Sequence, residues 1–302
     1  MDDKKDAVQS CLKACLAIIE KYKWLIDLYV LDFFVDNHWS ILSQKWKDII
    51  DDLRPEDLAF MIDLENDAET ETVVLDKVWP LEILALRASI KAYSLKRTPW
   101  KRSQLAESLL LKDNNPTDEW PKDFNSLQNV FRRHIKPKKK HEIIRMADVA
   151  SMLALKASPS KIVDIGAGLG HMSRLLSFGH GFEVTCMEAE GQFGKTAVAF
   201  DEDLVKAALK ANPDFEGKAK GQKPEHVTLN VDPELKKEAF DEKFRNVEGQ
   251  LGLIGLHTCG DLGPTIVRMY AESSKVTTLQ SVGCCYMHIK KSFPLSHHLK
   301  AK

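Results

Sequence analysis

The chain has 302 residues, 44% of them hydrophobic and 29% charged, with a formal net charge of −1. That length supports one large domain or two ordinary ones with substantial cores, and the mixture excludes a disordered or fibrous chain. Six cysteines without disulfide-scaffold spacing, a charged N-terminus (Met1 to Asp6) and an early apolar run, Trp24 to Val35, broken by Asp27 and Asp32 exclude a secretory signal and a membrane span. A reduced, intracellular compartment, cytoplasmic or nuclear, is the expectation.

In chain order, residues 1 to 125 read as a helical N-terminal domain. Cys11, Leu12, Cys15, Ile18 and Ile19 recur at helical spacing, then Trp24, Leu25, Leu28, Leu31 and Phe34, and after Pro80 Leu81, Leu84, Ala85 and Ala88. The aromatics Trp24, Phe33, Phe34, Trp39 and Trp46 are expected in its core. Residues 51 to 71 carry nine acids against one base, Arg54, and read as a solvated face or loop. Asn114-Asn115-Pro116 and Trp120-Pro121 mark loops and the junction.

Residues 126 to 302 read as a second domain in which strands alternate with helices. A helix is expected over His141 to Leu155, and strands over 161–165, 183–187, 226–231, 251–256 and 278–282, with helical segments around 175, 204–210 and 266–270. This alternation predicts a doubly wound α/β fold, a parallel sheet with its ligand off the carboxyl ends of the strands.

The first strand runs into Asp164-Ile-Gly-Ala-Gly-Leu-Gly170. Glycines are required there because the backbone must turn sharply and approach a ligand, while the next helix aims free N–H groups at it. Glu188 stands 24 residues after Asp164, where a nucleotide ribose is gripped in such folds. Dinucleotide loops open with glycine; an acid at this point suits a ligand with a cationic amino group. S-adenosylmethionine has that group and a ribose, and lacks a pyrophosphate. Asp164, Gly166, Gly168, Gly170 and Glu188 are therefore the candidate cofactor residues.

After the fourth strand comes His257-Thr-Cys-Gly-Asp-Leu262, and after the fifth Gly283-Cys-Cys-Tyr-Met-His288. Neighbouring strands would face these segments across the site mouth. Four readings stay open: a zinc site from His257, Cys259, Cys284, Cys285 and His288; a nucleophile at Cys259 or Cys285; a general acid–base role for His257 or Asp261; or small side chains that leave room while His257 and Asp261 orient loops. Against zinc stands the absence of C-x-x-C and the opposed directions of adjacent cysteines on an extended chain. Arg132, Arg133, Lys136, Lys138, Lys139 and Lys140 put six cations within nine residues, a phosphate footprint or a solvated face.

These segments together resemble the methyltransferase-like protein 25 family, also described as ribosomal RNA adenine dimethylase domain-containing proteins. The shared pieces are Lys136-Pro-Lys-Lys-Lys-His-Glu142, Val163 to Gly170, His226-Val-Thr-Leu with Asp232-Pro, Gly255 to Leu262, Ser281 to Met287 and Phe293-Pro-Leu-Ser296, with weaker similarity at Asp32-Phe-Phe-Val35. The resemblance implies a Rossmann-like class I methyltransferase sheet, S-adenosylmethionine as donor and Asp232 against the adenine; His257, Cys259, Asp261 and Cys285, from the segments after the fourth and fifth strands, are the catalytic candidates. RNA is the implied substrate; a protein substrate and a non-catalytic adaptor are the rivals. The adenine dimethylase signature N-P-P-[FY] is absent, and His257-Thr-Cys-Gly stands in its place. A complete sheet of this class has seven strands, so a C-terminally incomplete one is expected.

Overall fold

The computed structural model describes residues 2–55, 57–58, 78–94, 98, 101–111, 127–211 and 223–290. Most of the acidic stretch, the two Pro-containing loop signals before residue 122 and the Phe293-Pro-Leu-Ser296 segment lie outside them. The chain divides into two compact units, Met1–Pro99 and Trp100–Lys302.

The first unit is helical: α1 (Asp2–Lys21), α2 (Lys23–Ile26), α3 (Gln44–Ile50) and α4 (Leu81–Tyr93), with 3-10 turns at Val30–Asp32 and His38–Ile41. Its core gathers Tyr22, Trp46, Trp79 and Ile83, with Ile18, Leu25, Ile49 and Leu86 packed around them. Trp46 satisfies its indole N–H on Glu82 Oε2 at 3.3 Å, the usual requirement for a buried tryptophan. Two helical stripes are corrected. The periodic run from Trp24 to Phe34 is no single helix: α2 stops at Ile26, and Phe34 is 88% exposed. In α4 the buried residue is Ile83, while Leu81, Leu84, Ala85 and Ala88 lie on the exposed side. Their spacing is helical, but the side facing Tyr22 and Trp46 is the other one.

The second unit holds five parallel strands, β1 (Lys161–Ile165), β2 (Val184–Glu188), β3 (Glu225–Thr228), β4 (Leu251–Leu256) and β5 (Val276–Val282), in the order β3-β2-β1-β4-β5. Strand β1 buries Ile162 to Ile165, Asp164 included, because both its faces are covered, as in parallel sheets generally. Ile162 on one face joins Val184 and Ile254 against Ile143, Met146 and Ala150 of α5 (Pro137–Ala157) and Leu204 and Ala208 of α6 (Gly191–Ala211). Val163 and Ile165 on the other join Met187 and Leu253 against Phe240 of α7 (Lys237–Lys243) and Ile266 and Met269 of α8 (Leu262–Glu272). The fold is thus the three-layer α/β sheet expected from the alternation. Five strands are present among the described residues, matching the five in the sequence to within a few residues at their ends. The connections leave β1 and β4 in opposite directions, so a crevice opens between their carboxyl ends.

Candidate cofactor and acceptor site

That crevice holds a cavity of about 140 Å³ lined by Lys139, Ile143, Asp164, Gly166, Ala167, Gly168, His171, Met172, Leu256 and His257. The glycine loop forms its floor. Gly166, Gly168 and Gly170 have φ of +70°, +56° and +67°, in the left-handed region that glycine alone enters freely. A Cβ at Gly168 would meet nothing within 4 Å, so the loop is open there, whereas one at Gly170 would lie 3.2 Å from the His226 ring. The glycines therefore serve backbone conformation first and close approach second.

Asp164 is 2% exposed and accepts a 2.5 Å hydrogen bond from the Ser173 hydroxyl. Burial pushes its carboxyl up to about 7; the Ser173 hydrogen bond opposes this, Glu188 adds to it, and Lys139 lowers it. A buried acid left near neutrality is suited to a cationic group, which would complete its ionisation. Glu188, at the end of β2, accepts from Gly168 N–H (2.8 Å) and Glu190 N–H (3.0 Å). It thereby ties the loop tip to the strand and stands beside the floor. These features fit an amino-acid-bearing nucleoside such as S-adenosylmethionine. Asp232 lies outside the cavity lining; it is exposed, in the loop after β3, and caps its own turn through Glu234 N–H at 2.8 Å.

The other wall carries His257, whose φ of +67° is strained for a residue with a Cβ. Its N–H donates to Val282 O at 2.8 Å, locking the end of β4 to β5. Its Nε2 lies 3.1 Å from Glu142 Oε2 on α5, while its Nδ1 is buried with no partner among the described residues. If Nε2 carries the proton toward Glu142, Nδ1 is left with a free lone pair. Lys139 sits one helical turn before Ile143 on the same helix, so the Lys-Lys-Lys-His-Glu segment does reach the cavity mouth. Lys139 alone of the basic run lines the cavity; Lys136 and Lys138 are exposed at the start of the same helix, as are Arg132 and Arg133 before it, and Lys140 is half-buried, which lowers its pKa.

The cysteines behave otherwise than adjacent residues on an extended strand. Strand β5 ends at Val282, and the chain then bends into a 3-10 turn at Tyr286–His288. Cys284 Sγ stands 3.0 Å from Cys259 Sγ and 3.5 Å from Cys285 Sγ. Asp261 precedes α8 and accepts Lys290 N–H at 2.8 Å, fixing the chain beyond that turn.

A buried polar network was not foreseen. Arg174 pairs with Asp201 (2.5 Å) and donates to Leu169 O (3.1 Å) and Ala197 O (3.0 Å), and His226 Nε2 meets the second Asp201 oxygen at 2.7 Å. It bolts the glycine loop to α6. His171 is held neutral beside it, its pKa lowered to about 3 by burial and then by the neighbouring cations. The sequence marks only one member of it: Asp201 interrupts the apolar stripe Ala197, Leu204, Ala208 at helical spacing, while nothing in the spacing points to Arg174 or His226 as its partners.

Two comparisons bear on this arrangement. Probable methyltransferase-like protein 25 of mouse and that of human are each 42% identical to this chain over 45 residues, which cover 15% of the chain and only 8% of either relative. The sequence pattern of the methyltransferase domain matches residues 138–292. That match takes in just over half of the chain, from the helix bearing Lys139 to the loop beyond Cys285. The chain belongs to the methyltransferase domain family, as a class I member resembling methyltransferase-like protein 25.

Proposed function

We propose that this chain binds S-adenosylmethionine at the glycine loop and transfers its methyl group to RNA. The observation that carries the reading is the cavity itself, where a buried acid and an open glycine loop face Lys139 and the Glu142–His257 pair. When bound, the cofactor supplies an already activated methyl group, so the protein's task is alignment and proton handling. Asp164 would take the amino group and Glu188 the ribose hydroxyls. His257, held by Glu142, would receive the proton of the acceptor as the methyl arrives. Cys259 and Cys285 stand in the loops behind His257, and Asp261 fixes those loops.

The RNA assignment rests on the exposed cations around the start of α5, beside the cavity, with the family resemblance. Incubation with methyl-labelled cofactor and separate RNA and protein pools tests it. Label in RNA, absent in an Asp164→Ala variant, is the expected result. Label confined to protein would replace the substrate, and none in either pool with a bound cofactor would favour an adaptor.

A further inference from the structure

We propose that Cys259, Cys284 and Cys285 form a binding site for one thiophilic metal ion, zinc(II) in the first instance, which clamps the loop after β4 to the loop after β5. The three sulfurs come from loops 25 residues apart, yet all lie within 4.8 Å of one another. The backbone holds them there: Gly260 N–H donates to Cys285 O (3.3 Å), Cys259 N–H to His257 O (2.8 Å) and His288 N–H to Cys285 O (3.1 Å). Gly260 has φ of +59°, and a Cβ on it would stand 3.3 Å from His288 O, so the approach of the two loops requires that glycine.

A zinc–sulfur bond of about 2.3 Å places the sulfurs of a tetrahedral site about 3.8 Å apart. The two separations of 3.0 and 3.5 Å open to that value by small movements of exposed or half-buried side chains. A thiophilic cation binds the thiolates, so its entry releases the thiol protons to solvent. Three thiolates favour zinc or copper(I) over magnesium or calcium. Neither His257 nor His288 brings a nitrogen within 4.8 Å of all three sulfurs, so the fourth position falls to water or an added ligand. The clamp lies two residues beyond His257 and would hold that residue's left-handed backbone in place. This inference does not depend on the substrate proposed above.

The test is metal content of the 302-residue chain, prepared under reducing conditions, supplied with zinc and dialysed. One zinc per chain is expected, kept in Cys11→Ser and lost in each of Cys259→Ser, Cys284→Ser and Cys285→Ser. Cobalt(II) in the unsubstituted chain should show thiolate charge-transfer absorption, and X-ray absorption should count three sulfurs, a readout independent of whether a variant folds. Absence of stoichiometric metal, its retention in the triple serine variant, or fewer than three sulfurs around the ion would overturn the proposal. So would a Cys259–Cys284 disulfide that persists in the reduced preparation, detected by peptide mass spectrometry.

Discussion

Asp164 is the residue on which the chemistry turns. Its carboxyl titrates near 7 in the folded chain against 3.8 as the ordinary value, chiefly because it is buried. A cationic ligand favours the ionised form, so cofactor affinity should peak between about pH 7 and 8, where Asp164 is ionised and the ligand's α-amino group keeps its proton, and fall about tenfold per pH unit well below that. Calorimetry from pH 5.5 to 8.5 checks this, and a flat profile would speak against the contact. Stability has the opposite sign. The folded state holds the proton more tightly than the unfolded one, so the stabilisation linked to this group is complete below pH about 4 and lost as pH rises through about 7. Asp164→Asn should therefore raise the melting temperature at pH 8 relative to the parent and change it little near pH 4. Glu142 acts through His257: Glu142→Gln should lower the methyl-transfer rate roughly 10- to 100-fold while cofactor affinity stays within about twofold. An unchanged rate in that variant would leave the pair without a role in proton handling.

At the level of elements, the Arg174–Asp201–His226 network joins the loop between β1 and β2 to helix α6 in the core. Removing one partner strands a charge with no water to solvate it. Arg174→Met is predicted to cost about 3–5 kcal/mol in denaturant unfolding, and the double variant Arg174→Met with Asp201→Leu less than the sum of the singles. Additive effects would show that the two side chains do not act as a pair. This network also marks the limit of sequence reading. Strand β1 and the glycine loop were legible because a buried run followed by Gly-x-Gly-x-Gly admits few conformations, and β4 because Leu251-Gly-Leu-Ile-Gly-Leu256 is apolar throughout. The Arg174–Asp201 bridge spans 27 residues and depends on how a helix packs against the sheet, which periodicity does not encode. The same holds for the cysteines: three sulfurs converge because of a bend after Val282 that no residue spacing announces. In the first unit, the helical stripes of α4 and of residues 24–34 misjudged which side is buried, since spacing defines a face without naming its partner.

Across the molecule, a net charge of −1 conceals a cluster of cations at the start of α5 and an acidic stretch far from it in sequence. If the cluster grips phosphates, binding of a single-stranded RNA should weaken linearly in log–log form with salt. Replacing Lys136, Lys138 and Lys139 with alanine should lower the slope by about 0.7 per lost contact. Filter binding between 50 and 300 mM salt measures it, and an unaltered slope would assign these lysines to a solvated face. No helix among the described residues is long and apolar enough to cross a membrane. The central claim is a cofactor site built on Asp164 and the glycine loop. Calorimetric titration of the 302-residue chain with S-adenosylmethionine, with its demethylated product as a control, tests it most directly. Binding on the order of micromolar by the parent and none by Asp164→Ala is the predicted result; no heat from a demonstrably folded parent, or equal affinity in the two, would contradict it.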